Sequence, residues 1–398
     1  MAPGWIAHAK FAFWVMALGA FIRPAHAQTV ADFYRGRNVT LVIGFSVGGG
    51  YDLYARLFAQ ALASVDQEWD ATSLVARYER VRRPRPVTGK PHRVFVLSRV
   101  TLGADVAITS VLLAAAKRRF PHAEIVFVGP RKNYELFAGD SHIHHAPLAY
   151  HRGSLRERLA AAQDLKRLVA LPDSIVLDPD SRFTQLGLLP ICGEERYYLF
   201  ESRAYGGATE RNLSDLVSEW ARQTLGVAGA KPYVSLGHTL HKVPAITISF
   251  GVGDNPAKRL ANPFEPELLA LLAGTGLALA IDTGAGGPEA EWVCAAIQQS
   301  GVRATVWEGS FAGFASMIAA SRLYVGYDSA GQHVAAACGV PLISIFAGFP
   351  VPRMVARWSP TGDGRYVIRV DRSDPRETLR RVRELLPAAL GASPSAPA

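Results

Sequence analysis

The sequence predicts an α/β protein whose parallel sheets form doubly wound domains. Short apolar runs of strand length alternate with helical stretches from residue 93 almost to the C-terminus, which is typical of strands joined by covering helices. One series of strand, helix and strand begins near residue 93, and a second begins near residue 245. The 398 residues are enough for two such domains with sizeable cores.

The charge of the chain indicates the kind of partner. The formal net charge is +9 and the pI is about 9.6, which favours a phosphate-bearing substrate or an anionic membrane surface. No nucleic-acid-binding motif accompanies this charge, so nucleic acid is not expected as a partner.

The first 27 residues are similar to a secretory signal. Lys10 supplies the positive charge, residues 11–21 supply the apolar core, and Ala25-His26-Ala27 supplies a cleavage site of small residues. The apolar core is too short to span a bilayer as a mature helix. This segment predicts export to the periplasm.

Residues 28–65 predict a strand at 39–45, a glycine turn at 48–50 and a helix at 52–61. This stretch resembles the opening of the tripartite tricarboxylate (Bug-type) solute-binding receptors. In that family the glycine turn and the aspartate that matches Asp52 contact the ligand. The resemblance covers about the first βα unit, so we interpret these residues as a fused receptor fragment.

Residues 66–92 predict a linker. The runs 82–86 and 89–91 combine positive charge with prolines that interrupt regular structure. A solvated basic linker is expected, and contact with a membrane or a phosphate is the alternative.

The first domain is predicted to start at residue 93. Residues 94–98 and 124–129 are predicted strands, and residues 105–119 are the predicted helix between them. Asp105 lies at the start of this helix, where the helix dipole favours an acidic side chain. Asp105 is therefore a candidate both for capping the helix and for a chemical role.

Polar residues follow the predicted strand 174–177. Asp178 and Arg182 lie at its carboxyl end, which faces the ligand cleft in an open α/β sheet. They are candidates for substrate contact, with a structural turn as the alternative. The three histidines within 142–145 predict a surface loop, since no Asp, Glu or Cys pattern completes a metal site.

The second series opens with a predicted strand at 245–250 and a glycine turn, and Lys258 and Arg259 follow. Backbone N–H groups and positive side chains in this combination suit a diphosphate. The spacing is not that of a P-loop.

The stretch 323–346 predicts a strand at 323–327, a tight turn, a short helix and a second strand at 341–346. Asp328 and Ser329 are helix-capping residue types at the turn, and His333 lies four residues after Ser329 on the same helix face. This arrangement predicts an anion site at the helix start. A capped helix with a hydrogen-bonded histidine is the alternative.

The run DSAGQH at 328–333, followed by VAAACGVP, resembles the C-terminal signature of glycosyltransferase family 9, the lipopolysaccharide heptosyltransferases. The stretch 93–129 resembles the N-terminal βαβ unit of the same family. Together with the landmarks between them, the resemblance covers about residues 93–372.

The chain departs from the family pattern at two places. Ala330 stands where the family usually has glycine. Gly103-Ala104-Asp105 is one residue longer than the Gly-Asp that follows the first strand in the family.

The resemblance implies the GT-B architecture, in which two Rossmann-like domains face each other across a cleft. Residues 93–235 are the expected acceptor domain and residues 236–390 the expected nucleotide-sugar domain. Residues 391–398 are expected to be a disordered tail.

The resemblance also implies site residues and a mechanism without metal or other cofactor. Asp105 is the expected catalytic base, which takes the proton of the acceptor hydroxyl. The expected donor-binding residues are Lys258, Arg259, Asp328, Ser329 and His333. The expected acceptor-binding residues are Asp178 and Arg182.

The function implied is transfer of a heptose-like sugar from a nucleotide-diphosphate donor to a hydroxyl of a lipopolysaccharide-type or other anionic glycan or lipid-linked acceptor. Such a reaction is expected in the cytoplasm, with peripheral association at the inner membrane, whereas the N-terminal segment indicates the periplasm. A glycosyltransferase-like protein without catalysis and a periplasmic tricarboxylate receptor are the alternatives.

Overall fold

The computed structural model describes residues 50–65, 70–151, 153–237, 246–253, 255–284 and 286–392. The signal-like segment, the strand of the receptor-like fragment and all but the last residue of its glycine turn lie outside the described residues. So do the last six residues of the predicted tail. We call residues 70–237 the N-terminal half and residues 246–392 the C-terminal half.

The N-terminal half contains a five-stranded sheet in which all neighbouring strands are parallel. The strand order is β3-β2-β1-β4-β5. The strands are β1 (Arg93–Leu97), β2 (Glu124–Gly129), β3 (Ile143–Pro147), β4 (Ser174–Asp178) and β5 (Tyr197–Leu199).

The C-terminal half contains a six-stranded parallel sheet. Its order, β8-β7-β6-β9-β10-β11, is that of the dinucleotide-binding fold. The strands are β6 (Ile246–Ser249), β7 (Leu279–Asp282), β8 (Thr305–Trp307), β9 (Leu323–Tyr327), β10 (Leu342–Phe346) and β11 (Arg365–Arg369). The predicted α/β class with two doubly wound parallel sheets is confirmed.

Helices connect the strands in both halves. Before and within the N-terminal half they are α1 (Gly50–Val65), α2 (Ala71–Val81), α3 (Leu102–Ala104), α4 (Ser110–Arg119), α5 (Arg131–Tyr134), α6 (Leu155–Leu168) and α7 (Leu213–Leu225). In the C-terminal half they are α8 (Phe264–Ala273), α9 (Pro288–Ser300), α10 (Phe311–Ala319), α11 (Ala330–Ala337), α12 (Pro352–Trp358) and α13 (Pro375–Gly391). Helix α13 therefore includes the first residue of the predicted tail.

Each sheet has one point at which the strand order reverses direction, between β1 and β4 in the first sheet and between β6 and β9 in the second. Ligands of open α/β sheets bind outside the carboxyl ends of the strands at such a point. Asp178 is the last residue of β4, and the segments that follow these four strands contain the other predicted site residues.

The prediction of a solvated linker is wrong for residues 71–81, which form helix α2. Asp70 caps the helix by accepting a hydrogen bond from the Ser73 N–H at 2.7 Å. Tyr78 is buried, and the Arg77 guanidinium lies 4.7 Å from the centre of the Tyr197 ring. Apolar and aromatic contacts with the first sheet therefore hold this segment, although its sequence is basic.

The prediction of a surface loop for the histidine-containing stretch is also wrong. His144 and His145 lie in β3, which pairs with β2 at the edge of the sheet. The His145 Nε2 atom is 2.9 Å from the Gly129 carbonyl oxygen, and the imidazole stacks on the Tyr134 ring at 4.3 Å. An edge strand is only partly buried, which is why it lacks the apolar pattern of the central strands.

The extra residue in the Gly103-Ala104-Asp105 motif lies where the helix widens. Residues Asp105–Thr109 form a π-helical turn between α3 and α4, and the Ser110 N–H donates to the Asp105 carbonyl. A π turn holds one more residue than an α turn, so it can accommodate a single added residue. Each added residue rotates the side chains that follow by about 100°.

The apolar core continues from the N-terminal half into the C-terminal half. One cluster of buried side chains includes Val111 and Leu112 of α4 together with Phe314 of α10, Tyr324 of β9 and Val334 of α11. A second cluster fills the other face of the C-terminal sheet. The two halves therefore pack against each other through buried apolar surface.

Candidate functional site

The Asp105 carboxylate is buried and accepts four hydrogen bonds. The Arg99 N–H and the Thr109 hydroxyl donate to Oδ1 at 2.7 and 2.6 Å. The Ser98 hydroxyl and the Asn133 amide donate to Oδ2, both at 2.6 Å. Burial raises the pKa of this carboxyl, and the four donors act in the opposite direction.

This geometry does not place Asp105 at an open cleft. Its relative exposure is 0%, and its donors all belong to the N-terminal half, so an acceptor hydroxyl has no path to it in this conformation. Its predicted role as catalytic base stays a prediction.

The motif glycine, rather than Asp105, faces the other half. A Cβ atom at Gly103 would lie 3.1 Å from the Ala330 Cα and 3.2 Å from the His333 Cδ2. Helices α3 and α11 therefore meet at close range, and the starts of the two resemblance motifs lie side by side.

Asp178 is also fully buried. Its carboxylate accepts hydrogen bonds from the Ser181 N–H, the Thr184 hydroxyl and the Tyr197 hydroxyl, each at 2.6 Å. Burial raises its pKa to about 6. These contacts fix the loop after β4, which is the structural-turn role that was the alternative to substrate contact. Arg182, in the same loop, is exposed.

Lys258 and Asp328 meet at the strand-order reversal of the C-terminal sheet. The Lys258 Nζ donates to Asp328 Oδ2 at 2.7 Å and to the Asp328 carbonyl at 2.9 Å. Both side chains are partly exposed, at 22% and 16%. The Gln332 amide donates to the other Asp328 oxygen at 2.6 Å, which fixes the carboxylate at the start of α11.

Arg259 turns away from this pair. Its guanidinium donates to Glu265 Oε2 at 2.9 Å and to the Phe250 carbonyl at 3.1 Å. It also lies 4.5 Å from the centre of the Trp292 ring. These contacts fix the position of the loop that contains Lys258.

Ser329 and His333 lie on α11. The Ser329 side chain makes no capping hydrogen bond to the helix. His333 is buried, and its ring contacts the Trp358 ring edge-on at 6.0 Å between centres. Burial lowers the pKa of His333 to about 4, with the nearby Asp328 acting in the opposite direction. The imidazole is therefore neutral at pH 7.

Several polar residues near these sites were not identified from the sequence. Arg99 donates to the Ser202 hydroxyl at 2.5 Å, and that hydroxyl donates to Asp180 at 2.8 Å. Asp180 is buried in a left-handed conformation with φ 72°. Arg353 and Arg357 of α12 approach the same region from the C-terminal half. The i, i+4 spacing of these two arginines was the only available clue.

Within the described ranges, no group of three or more His, Cys, Asp or Glu side chains is arranged to hold a metal ion. None of the described helices is both long and apolar enough to cross a membrane.

Three glycosyltransferases are among the solved structures with a similar fold. The glycosyltransferase family 9 protein of Veillonella parvula has 14% sequence identity and a TM-score of 0.56, over 75% of this chain and 90% of its own. The E. coli heptosyltransferase WaaC, solved with ADP, has 15% identity and a TM-score of 0.55, over 75% and 99%. The E. coli ADP-heptose lps heptosyltransferase II has 19% identity and a TM-score of 0.52, over 75% and 98%. The fold class is therefore GT-B-like.

The family comparison points the same way. Residues 267–382 match the model of glycosyltransferase family 9 (heptosyltransferase), a segment that contains α11 and its start. A search of the curated proteins found no match. The family match and the structural neighbours together support a glycosyltransferase. They give no support to a receptor fragment at residues 28–65.

Proposed function

We propose that the protein transfers a sugar from a nucleotide-diphosphate donor to a hydroxyl of a glycan acceptor. The observation that carries this proposal is the Lys258–Asp328 pair at the strand-order reversal of the C-terminal sheet. A partly exposed ammonium group beside the start of α11 suits a diphosphate. The family match over residues 267–382, which contain Asp328, supports sugar transfer.

In the proposed reaction, the acceptor oxygen forms a bond to the anomeric carbon while the bond from that carbon to the diphosphate oxygen breaks. The acceptor proton passes to a base, and the electron pair of the broken bond leaves with the diphosphate. Lys258 stabilises the charge that develops on this leaving group. Asp328 would then exchange its contact with Lys258 for one with the sugar.

Asp105 is the proposed base, and its position sets a condition on this role. The carboxylate has to leave its four donors and reach the space between α3 and α11, so the reaction needs a conformation in which these helices have separated. His333, which is neutral and lies beside Gly103, would face the donor in that conformation.

The donor and acceptor are proposed from the solved neighbours. The WaaC structure described above was solved with ADP, and a further WaaC structure contains ADP-2-deoxy-2-fluoro heptose, so ADP is the first nucleotide to test. A lipopolysaccharide-type acceptor, with the reaction in the cytoplasm or at the inner membrane surface, accords with the net charge of +9.

Nucleotide binding tests the donor site. Isothermal titration of the full chain with ADP, GDP and UDP should give binding of one nucleotide, and Lys258→Ala should weaken it about tenfold because a charge-assisted contact is lost. Lys132→Ala, which removes an exposed lysine of α5, should leave the affinity unchanged. Absence of binding with all three nucleotides would count against the proposal.

A protein without catalysis is the second candidate, and the four hydrogen bonds of Asp105 are the observation that favours it. Release of nucleoside diphosphate from the corresponding donor sugar separates the two functions. Binding of the nucleotide with no release, with water or added glycans as acceptor, would favour the inactive protein. Release that is lost in Asp105→Asn would favour the transferase.

A further inference from the structure

The Tyr324 side chain carries a buried hydroxyl that the fold leaves unpaired. Tyr324 is the second residue of β9, and its ring packs in the apolar cluster that includes side chains of α11. Its relative exposure is 0%, and among the described residues its hydroxyl has no hydrogen-bond partner. Folded proteins rarely leave a buried hydroxyl unpaired, because the lost hydration of the group is then not compensated. A group that pairs with this hydroxyl is therefore expected.

Two glycines make room for the hydroxyl at the start of α11. A Cβ atom at Gly326, two residues further along β9, would lie 2.6 Å from the phenol oxygen, and one at Gly331, in the first turn of α11, would overlap it. Residues 324 and 326 project from the same face of the strand, so the ring lies along the strand towards its carboxyl end. The hydroxyl therefore reaches the point at which the strand order of the C-terminal sheet reverses.

The neighbours of the hydroxyl at this point are polar. The Ser329 oxygen is also buried without a hydrogen-bond partner in the described part of the chain, and it does not cap α11. Burial raises the pKa of Tyr324, and the hydroxyls of Ser329 and Ser249 act in the opposite direction. They therefore lie close to the phenol, although the geometry is not that of a hydrogen bond. The negative charge of Asp328 also acts on the phenol, so the two unpaired hydroxyls lie beside the Lys258–Asp328 pair.

The surroundings favour a negatively charged group as the missing partner. The first N–H groups of a helix have no partner within the helix, and they give its start a partial positive charge. The Lys258 ammonium, with a relative exposure of 22%, lies at the same helix start. Hydrogen bonds to a charged oxygen are roughly twice as strong as those to a neutral one. A phosphate oxygen would therefore pair with both hydroxyls better than a water molecule would.

We propose that Tyr324 is a donor-binding residue whose hydroxyl, together with that of Ser329, donates a hydrogen bond to an oxygen of the diphosphate. The identity of this diphosphate as part of a sugar donor rests on the proposed function. In the present conformation α3 covers the start of α11, since a Cβ atom at Gly103 would lie 3.5 Å from the Ala330 nitrogen. The contact therefore forms when these helices separate, as the proposed reaction requires.

The variant Tyr324→Phe removes only the hydroxyl and should have two separate effects. Without ligand, its melting temperature should be no lower than that of the unmodified protein, because no hydrogen bond is lost. Isothermal titration of the full chain with ADP, GDP and UDP should show the preferred nucleotide bound about tenfold more weakly, because a hydrogen bond to a charged oxygen is lost. A tyrosine with a purely structural role would show the reverse pattern.

Tyr78→Phe is the matched control. Tyr78 of α2 is also buried, and its hydroxyl likewise has no hydrogen-bond partner in the described ranges. It lies in another core cluster, within the N-terminal half. The control should keep its melting temperature and its nucleotide affinity. Equal nucleotide affinities of the two variants would overturn the inference. So would a lower melting temperature of Tyr324→Phe than of Tyr78→Phe without ligand, because the Tyr324 hydroxyl would then already be paired, for instance with a water molecule.

Inorganic pyrophosphate separates this inference from the proposed function. If Lys258→Ala weakens nucleotide binding and Tyr324→Phe does not, the role of Tyr324 is wrong and the proposed function stands. If pyrophosphate binds in a manner that depends on Tyr324 while no nucleotide binds, the diphosphate contact stands and the transferase proposal fails. If neither pyrophosphate nor any nucleotide binds to the unmodified protein, both are wrong.

Discussion

Asp105 illustrates how one added residue changes what a motif can do. The sequence places an acid after a strand and a glycine, as the family pattern does, and so predicts a base. The extra residue lies where a π-helical turn begins, and the carboxylate points into the N-terminal half. Sequence reasoning recognised the insertion but could not predict the direction of the side chain, because that depends on how the helix accommodates it.

Substitution of Asp105 should separate its structural contribution from its chemistry. Asp105→Ala leaves buried donors without an acceptor, so we expect it to lower the free energy of unfolding by about 3 kcal/mol. Asp105→Asn should lower the free energy of unfolding by less, since the Asn133 amide can turn and accept a hydrogen bond from the new N–H group. Urea denaturation of both variants measures the two effects.

Asp363 is exposed, so Asp363→Asn serves as the control for these variants. It should leave the denaturation midpoint unchanged. Equal losses in Asp105→Ala and Asp105→Asn would contradict the hydrogen-bond account.

At the scale of elements, the central strands of both sheets could be predicted closely and the edges could not. β2 and β9 have the predicted bounds, because buried parallel strands are short continuous apolar runs. β3 and helix α2 were missed. Their positions depend on contacts with elements distant in sequence, such as the Arg77–Tyr197 contact, which local patterns do not contain.

The contact between α3 and α11 leads to a prediction about Gly103. A valine there would bring its Cβ within 3.1 Å of the Ala330 Cα, with two further methyl groups to accommodate. Overpacking of this kind typically costs about 1–3 kcal/mol, so Gly103→Val should lower the melting temperature. Gly391→Val, at a position where an added Cβ meets no atom within 4 Å, is the matched control. Similar melting temperatures for both variants would mean that α3 and α11 are apart in solution.

At the scale of the whole molecule, buried carboxyl groups and a buried histidine make contributions to stability that change in opposite directions with pH. Burial raises the pKa values of Asp178 and Asp282 to about 6 and that of Glu265 to about 7. The folded state binds more protons than the unfolded state at these sites, so their contribution to stability decreases as the pH rises through these values.

His333 has the opposite sign. Its pKa is about 4 in the folded state and about 6.5 in the unfolded state, so its contribution is present above pH 6.5 and is lost as the pH falls towards 4. Between pH 7.5 and pH 5, the free energy of unfolding of the unmodified protein should decrease by about 2 kcal/mol more than that of His333→Gln. Denaturation of both proteins at the two pH values measures the difference, because the carboxyls contribute equally to each. Parallel pH profiles would show that His333 is not buried as a neutral group.

The two parallel sheets follow from the alternation of strands and helices, and the resemblance implied the GT-B-like pairing of the halves. The close approach of the halves was beyond sequence reasoning. The Arg353 and Arg357 contacts with the loop at residues 205–207 join positions about 150 residues apart, and no local pattern predicts such a pairing.

The apolar core shared by the two halves has a consequence for measured affinities. If the proposed donor occupies the space beside Gly103, it binds only those molecules in which the halves have moved apart, and separation exposes apolar surface to water. The apparent dissociation constant then equals the intrinsic constant divided by the fraction of separated molecules. If that fraction is about one in a hundred, a nucleotide sugar with an intrinsic dissociation constant of about 1 micromolar would have an apparent dissociation constant of roughly 100 micromolar. A substitution that favours separation would tighten binding without touching the ligand.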